Sequence, residues 1–493
     1  MIRASVILIS FLMLSRADPS WGQTGDSEAA QALNELAESY KDEIISSTQE
    51  LIKIKSVAGE PKPGAPFGEG PSQALDKALE IADRLGFQTK NLDGYIGYAE
   101  FGQGEEYVAV LAHLDVVPEG EGWTYPPYGG EIHDGKIYGR GSLDDKGPAV
   151  SALYALKALK DSNLPISKRV RIVFGTEEET GSADIEHYLE REAPPVWGFT
   201  PDGEFPAIYA EKGSLTFDIA KDLEPVPSIV EIRSIQSGTA SNIVPDKATA
   251  EIVTSNPASI VSECQRFADE AGYNLTAVQK DGSAIVTSIG LASHGATPYN
   301  GKNAAMQLIA FIGTLNLSES DMKDALDFLN SKIGMETDGK SFGLAMEDEP
   351  SGNLTFNVGI VNATAEQITL TLNIRYPVTH TSDEVMEIFN QTIEGTGFGI
   401  GDSMRDSKPL YYPIDTPLIK TLTEVYARET GRNDSAMAVG GNTYAKEMPN
   451  IVASGPLMPG QVDVMHQVNE YIAISDLMNM TRIYAQDIYE LAK

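Results

Sequence analysis

The stretch Tyr107-Val108-Ala109-Val110-Leu111-Ala112-His113-Leu114-Asp115 decides the fold. An unbroken apolar run of this length reads as a central strand of a sheet, with its imidazole projecting at the strand's carboxyl end. In open α/β sheets those ends converge on one crevice, so ligands far apart in sequence can meet there. Four further polar clusters follow strand-like runs or glycine turns in the same manner: Ser142-Leu143-Asp144-Asp145-Lys146-Gly147, Thr176-Glu177-Glu178-Glu179-Thr180-Gly181, Pro201-Asp202-Gly203 and Met465-His466-Gln467.

Working outward, helical spacing predicts packing helices over 28–57 and 74–85. Strand-like runs at 107–112, 169–174 and 196–199 then alternate with helices over 147–160 and 183–191, the pattern of a sheet covered by helices. After Glu211-Lys212-Gly213 the character changes. Alternating, antiparallel-looking strands are expected at 214–219, 248–254, 289–299, 352–361 and 365–376, with amphipathic helices at 258–271 and 302–315. From 402 the first style returns, with a helix at 417–429, strands at 435–439 and 450–453, and a long helix from 468. The expected fold is α/β: a helix-covered mixed sheet in a catalytic domain, split into 28–210 and 402–493 by an inserted α+β domain over 211–401. No short-period repeat is present, but the insertion is large enough to hold two similar halves.

Composition limits the function classes. The chain has 493 residues, 42% of them hydrophobic, enough for two or three domains. Its 71 Asp and Glu against 37 Lys and Arg leave a net charge of -34, which repels nucleic acid and anionic headgroups and suits a well-solvated surface. Residues 1–22 place Arg3 before the apolar run 6–14, of signal-peptide length but too short to span a bilayer; cleavage after Ala17 or after Gly22 is compatible with it. The expected destination is the periplasm or the exterior, with no membrane anchor left after cleavage. Cys264 is the single cysteine, so an internal disulfide and a thiolate zinc cluster are both excluded. Sequons at Asn274, Asn316, Asn353, Asn362, Asn390, Asn433 and Asn479 matter only in a eukaryotic source.

Metal binding must therefore rest on imidazoles and carboxylates. Taken singly, each motif has an ordinary explanation. His113 could be a hydrogen-bonded structural residue, Asp144 a helix cap, Asp202 a Pro-Asp-Gly turn residue and His466 a loop histidine. The run Glu177-Glu178-Glu179 could be a solvated loop, although three adjacent carboxylates repel one another unless cations or protons relieve them. Five such clusters in one split domain favour a shared site. Asp115, two residues beyond His113, is placed to orient its ring.

Jointly, His113-Leu114-Asp115-Val116-Val117-Pro118, Gly139 to Pro148, Glu178-Glu179-Thr180-Gly181, Pro201 to Pro206 and Met465-His466 resemble the motifs of the M20 metallopeptidases, within them the monomeric dipeptidases of the PepV type. The resemblance covers nearly the whole mature chain. It implies that Asp144 bridges two zinc ions, one completed by His113 and Asp202, the other by Glu179 and His466. Glu178 would be the general base, a register set by the Glu-Glu-x-Gly pattern; a slip along the run would exchange base and ligand. Manganese or cobalt would suit the same donors. The insertion resembles the family's lid, which implies that His294 stabilises the oxyanion and that Asn242 and Arg375 grip the substrate carboxylate or the tetrahedral oxygens. Gly440 and Gly441 would let backbone approach the substrate. The long lid also implies a monomer that closes its own site over a small peptide.

The leading expectation is an exported di-zinc dipeptidase. A related amidohydrolase, whether aminoacylase, deacetylase or carboxypeptidase, shares the same metal motifs. A non-catalytic binding protein of this fold should have lost its base, yet Glu178 and His294 are both present.

Overall fold

The computed structural model describes residues 20–493, with side chains from residue 27. The expected leader, 1–22, lies outside the described residues except for its last three, which open the helix Ser20–Ser39. Among the described residues no helix is long and apolar enough to cross a membrane.

The strand Tyr107–His113 is buried at all seven positions and lies inside a nine-stranded mixed sheet. Arg169–Gly175 runs parallel to it on one side and Trp197–Thr200 on the other, and Ile451–Ala453 continues the parallel set. His113 is level with Gly175. Consequently the glutamate run after Gly175 and Asp202 after Thr200 emerge at the same edge of the sheet as His113. The helix Lys146–Ser162 makes the crossover between the two longest parallel strands, and its N-terminus brings Asp144 to that edge. Ile474–Ala492 packs beside it, and the two helices share one apolar core with the sheet.

The insertion has its own sheet of eight antiparallel strands and its own core. Its central pair is Val230–Ser237 against Thr355–Ala363. Going outward, Lys247–Thr254, Ser283–Ile289 and Asn274–Lys280 lie on one side, and Gln367–Tyr376, Gly213–Asp222 and Gly399–Ser407 on the other. On each side a helix, Pro257–Ala271 or Ser382–Ile393, links the strand next to the central pair, Lys247–Thr254 or Gln367–Tyr376, to the outermost one. The two sides repeat one arrangement about the central pair.

Several boundaries differ from the sequence expectation. Gly399–Ser407 pairs with Gly213–Asp222, so the lid runs through Ser407 and the border at 402 falls inside its last strand. The expected strand at 289–299 is displaced to Ser283–Ile289, because Gly290 and Pro298 break the pattern and leave only isolated bridges at Leu291 and His294. The segment 28–57 forms two helices interrupted at Tyr40. The edge hairpin Gln88–Leu92 with Ile96–Phe101 carried no strand signal in its largely polar first arm. The last helix starts at Ile474, after a short strand Tyr471–Ala473.

Leu111 is fully buried at the middle of this sheet. Leu111→Ala is expected to lower stability by about 2–5 kcal/mol in a denaturant titration; a loss under about 1 kcal/mol would show that the strand is not the packing centre.

Candidate metal centre

At the shared edge the five expected ligands converge. His113, Asp144 and Asp202 present donor atoms within 4.8 Å of one another, and so do Asp144, Glu179 and His466. Asp144 belongs to both groups. Its Oδ1 lies 2.9 Å from His113 Nε2 and its Oδ2 2.9 Å from His466 Nε2. His466 Nε2 also lies 3.1 Å from Glu179 Oε2, and His113 Nε2 4.0 Å from Asp202 Oδ2.

Local structure explains the placement of each group. Asp115 Oδ1 and Oδ2 accept the backbone N–H of Glu178 at 3.1 Å and of Glu179 at 3.0 Å, which pins the acidic turn. Asp115 also faces His113: its backbone oxygen is 3.1 Å and its Oδ1 3.5 Å from Nδ1, leaving Nε2 turned to Asp144. Glu177 is diverted elsewhere. Its Oε2 accepts from Ala183 N at 2.9 Å, at the start of the helix Ala183–Leu189, so Glu177 is not among the converging groups.

Charge crowding dominates the electrostatics. Burial first, then Asp202, raises the Glu178 carboxyl well above its ordinary range; burial and then Asp144 raise Glu179. Burial and Asp144 push Asp202 up to about 7. Burial would also raise Asp144, but hydrogen bonds from the two imidazoles outweigh it and hold its pKa below the usual range. Hydrogen bonds to Asp144 and Glu179 lift His466 to about 11. Buried and crowded, these carboxylates require compensating positive charge, which the imidazole hydrogen bonds supply to Asp144. Divalent cations supply the same compensation, and the imidazole and carboxylate donor set suits zinc, manganese or cobalt.

Sequence reasoning missed the groups that hold these ligands in place. Glu470, fully buried, accepts the N–H of Leu143 at 2.9 Å and of Asp144 at 3.2 Å through Oε1. Its Oε2 takes a 2.6 Å ion pair from the buried Arg140, whose Nη2 donates to the His466 backbone oxygen at 3.2 Å. One buried pair therefore ties the Asp144 turn to the His466 loop. Asp145 Oδ2 accepts the His113 N–H at 3.2 Å, and Tyr444 donates to Asp184 at 2.5 Å while accepting from Glu177 N at 3.1 Å. The doubled aspartate at 144–145 was the one visible signal; Glu470 sits in a stretch with no motif.

A cleft of about 790 Å³ opens between this centre and the lid. Glu178, Glu179, His466 and Gly441 line it from the catalytic domain, and Asn242, His294 and Arg375 from the lid of the same chain. His294 is bridged to Ile243, next to Asn242. Its Nδ1 accepts from Ala296 N at 3.3 Å, which leaves Nε2 to carry the ring N–H, and burial, then Arg375 and His466, lower its pKa. Arg375 is 5% exposed, donates from Nε to Asn373 at 3.0 Å, and has no partner for Nη1. Gly440 departs from expectation. A Cβ there would come within 2.7 Å of Ala296 Cβ, so its small size serves contact with the lid, whereas Gly441 is open to the cleft.

Comparison with known proteins agrees with this geometry. Residues 109–490 match the model of peptidase family M20/M25/M40. The chain belongs to this family. It is 42% identical over 459 residues to a Bacillus subtilis protein named "Putative dipeptidase YtjP", covering 92% of this chain and 98% of that one. A Staphylococcus haemolyticus relative, "Putative dipeptidase SH1171", is 36% identical, with 93% and 98% covered. Among solved structures human carnosine dipeptidase 1 superposes with a TM-score of 0.57 at 16% identity, covering 94% of this chain and 98% of that one, which establishes the shared fold.

Glu470→Gln should leave Arg140 buried without its counter-charge. The expected cost is about 3–5 kcal/mol of stability, with metal affinity about 10–100-fold weaker in competition with a chelator. Unchanged metal affinity would contradict the positioning role.

Proposed function

We propose that this M20 peptidase is an exported, monomeric dipeptidase that carries two divalent cations, zinc in the first instance, and hydrolyses dipeptides with a free C-terminal carboxylate. The observation that carries the reading is Asp144, shared by two ligand groups beneath a cleft whose lid presents the Arg375 guanidinium with its Nη1 unpartnered. The names of the bacterial relatives support dipeptides as substrates. The apolar run within residues 1–22 supports export to the periplasm or exterior. Lid and catalytic histidines lining one cleft of one chain support action as a monomer.

His113, Asp144 and Asp202 would hold one cation, and Asp144, Glu179 and His466 the other. Bound there, divalent cations would lower the pKa of a water and polarise the scissile carbonyl. Glu178, beside both ligand groups, accepts the proton of the attacking water and returns it to the leaving amine. His294 offers its Nε2–H to the developing oxyanion, with Asn242 beside it. Arg375 receives the terminal carboxylate with a planar fork that no protein carboxylate occupies.

Hydrolysis of a panel of dipeptides, tripeptides and N-acetyl amino acids by the metal-loaded protein tests the reading. Dipeptides should be cleaved fastest; faster release from N-acetyl amino acids would make the protein an aminoacylase or deacetylase, and strong tripeptide cleavage would count against a closed two-residue pocket. Glu178→Gln should lower kcat by about 10²–10⁴-fold with metal content retained, since general acid–base help is removed and the ligands are not. His294→Ala should lower kcat by about 10²–10³-fold. Hydrolysis that survives Glu178→Gln would remove the base from the mechanism.

A further inference from the structure

The face of the lid sheet turned to the cleft is polar and ordered in rows. Residues Leu215, Phe217, Leu372 and Ile374 point to the lid's own core, so their neighbours along each strand point the other way. Register sets Arg375, Ser214 and Ser407 in one row, and Asn373, Thr216 and Arg405 in the next. The second row supports the first, for Asn373 accepts from Arg375 Nε at 3.0 Å and donates to Thr216 Oγ1 at 2.7 Å.

Arg405 stands at the far end of that row, exposed and lining the same cleft as Arg375 and the metal centre. It has no carboxylate partner. Among the described residues every other arginine except Arg266 and Arg375 is ion-paired, even though carboxylates outnumber cations almost two to one in this chain. The acid one row further on, Asp218, is held by Thr371 Oγ1 at 2.6 Å. Two strand spacings and a two-residue step put the Arg405 and Arg375 Cα atoms roughly 12 Å apart. Two long side chains from such anchors can bracket one small residue with a carboxylate at each end.

We propose that Arg405 is a specificity determinant that selects peptides whose C-terminal residue carries a second carboxylate, aspartate or glutamate. This rests on the dipeptidase reading above, with Arg375 holding the main-chain carboxylate and Arg405 the side-chain one. A guanidinium left free in a cleft is a recognition element for a planar anion. It also offsets the repulsion that a surface of net charge -34 imposes on an acidic peptide.

The test compares Ala-Glu, Ala-Gln and Glu-Ala with the metal-loaded protein and with Arg405→Ala, by kcat/KM and by calorimetric titration of the metal-free protein. Ala-Glu should exceed Ala-Gln about tenfold or more in both readouts, and Arg405→Ala should bring that ratio close to one. Arg405→Glu should turn the preference towards Ala-Lys. Equal handling of Ala-Glu and Ala-Gln by the parent, a preference that survives Arg405→Ala, or a preference for Glu-Ala would overturn the proposal while leaving dipeptide hydrolysis standing. Selective binding of Ala-Glu that Arg405→Ala abolishes, without turnover of any dipeptide, would support the anion subsite and refute the dipeptidase reading.

Discussion

The shared carboxylate of Asp144 is the constraint around which the molecule is organised. One oxygen faces His113 and the other His466, residues 353 positions apart in the chain. Holding both contacts requires the helix Lys146–Ser162 to begin at the edge of the sheet and the C-terminal part of the chain to return to the same place. The buried Arg140–Glu470 pair joins these two segments directly. A buried ion pair is a weak source of net stability, because desolvation offsets its attraction. Here its value is geometric: it fixes two backbone N–H groups behind Asp144 and the carbonyl of His466.

The split catalytic domain follows from the same constraint. Parallel strands deliver His113, the acidic turn and Asp202 to one edge, and the lid is inserted between the third of these and His466. The lid is a continuous eight-stranded sheet with a separate core, so it can present a stiff polar face to the cleft. Its doubled arrangement about Val230–Ser237 and Thr355–Ala363 gives one chain enough reach to bring His294 and Arg375 into the cleft that His466 lines.

Much of this was legible in the residues. The apolar run before His113 and the clusters at 144, 177–179, 202 and 466 pointed to one shared site, and these groups do converge, because strand ends and glycine turns leave strong local signals. The supporting groups were not legible. Glu470 and Arg140 meet across 330 positions, and nothing local to Glu470 distinguishes a buried carboxylate from a solvated one. Gly440, expected from the resemblance to let backbone approach the substrate together with Gly441, instead meets Ala296 of the lid, a contact between segments far apart in the chain that no local signal reveals. The lid's last strand escaped because Gly399–Ser407 is mostly exposed and polar, an edge without a hydrophobic period.

Metal stoichiometry of the purified protein, compared with that of Asp144→Asn, tests the central claim most directly. Two divalent ions per chain in the parent, with both sites weakened together by the single substitution, is the result that follows from a carboxylate shared between two ligand groups. One ion per chain, or an Asp144→Asn protein that keeps two ions with undiminished affinity, would contradict it.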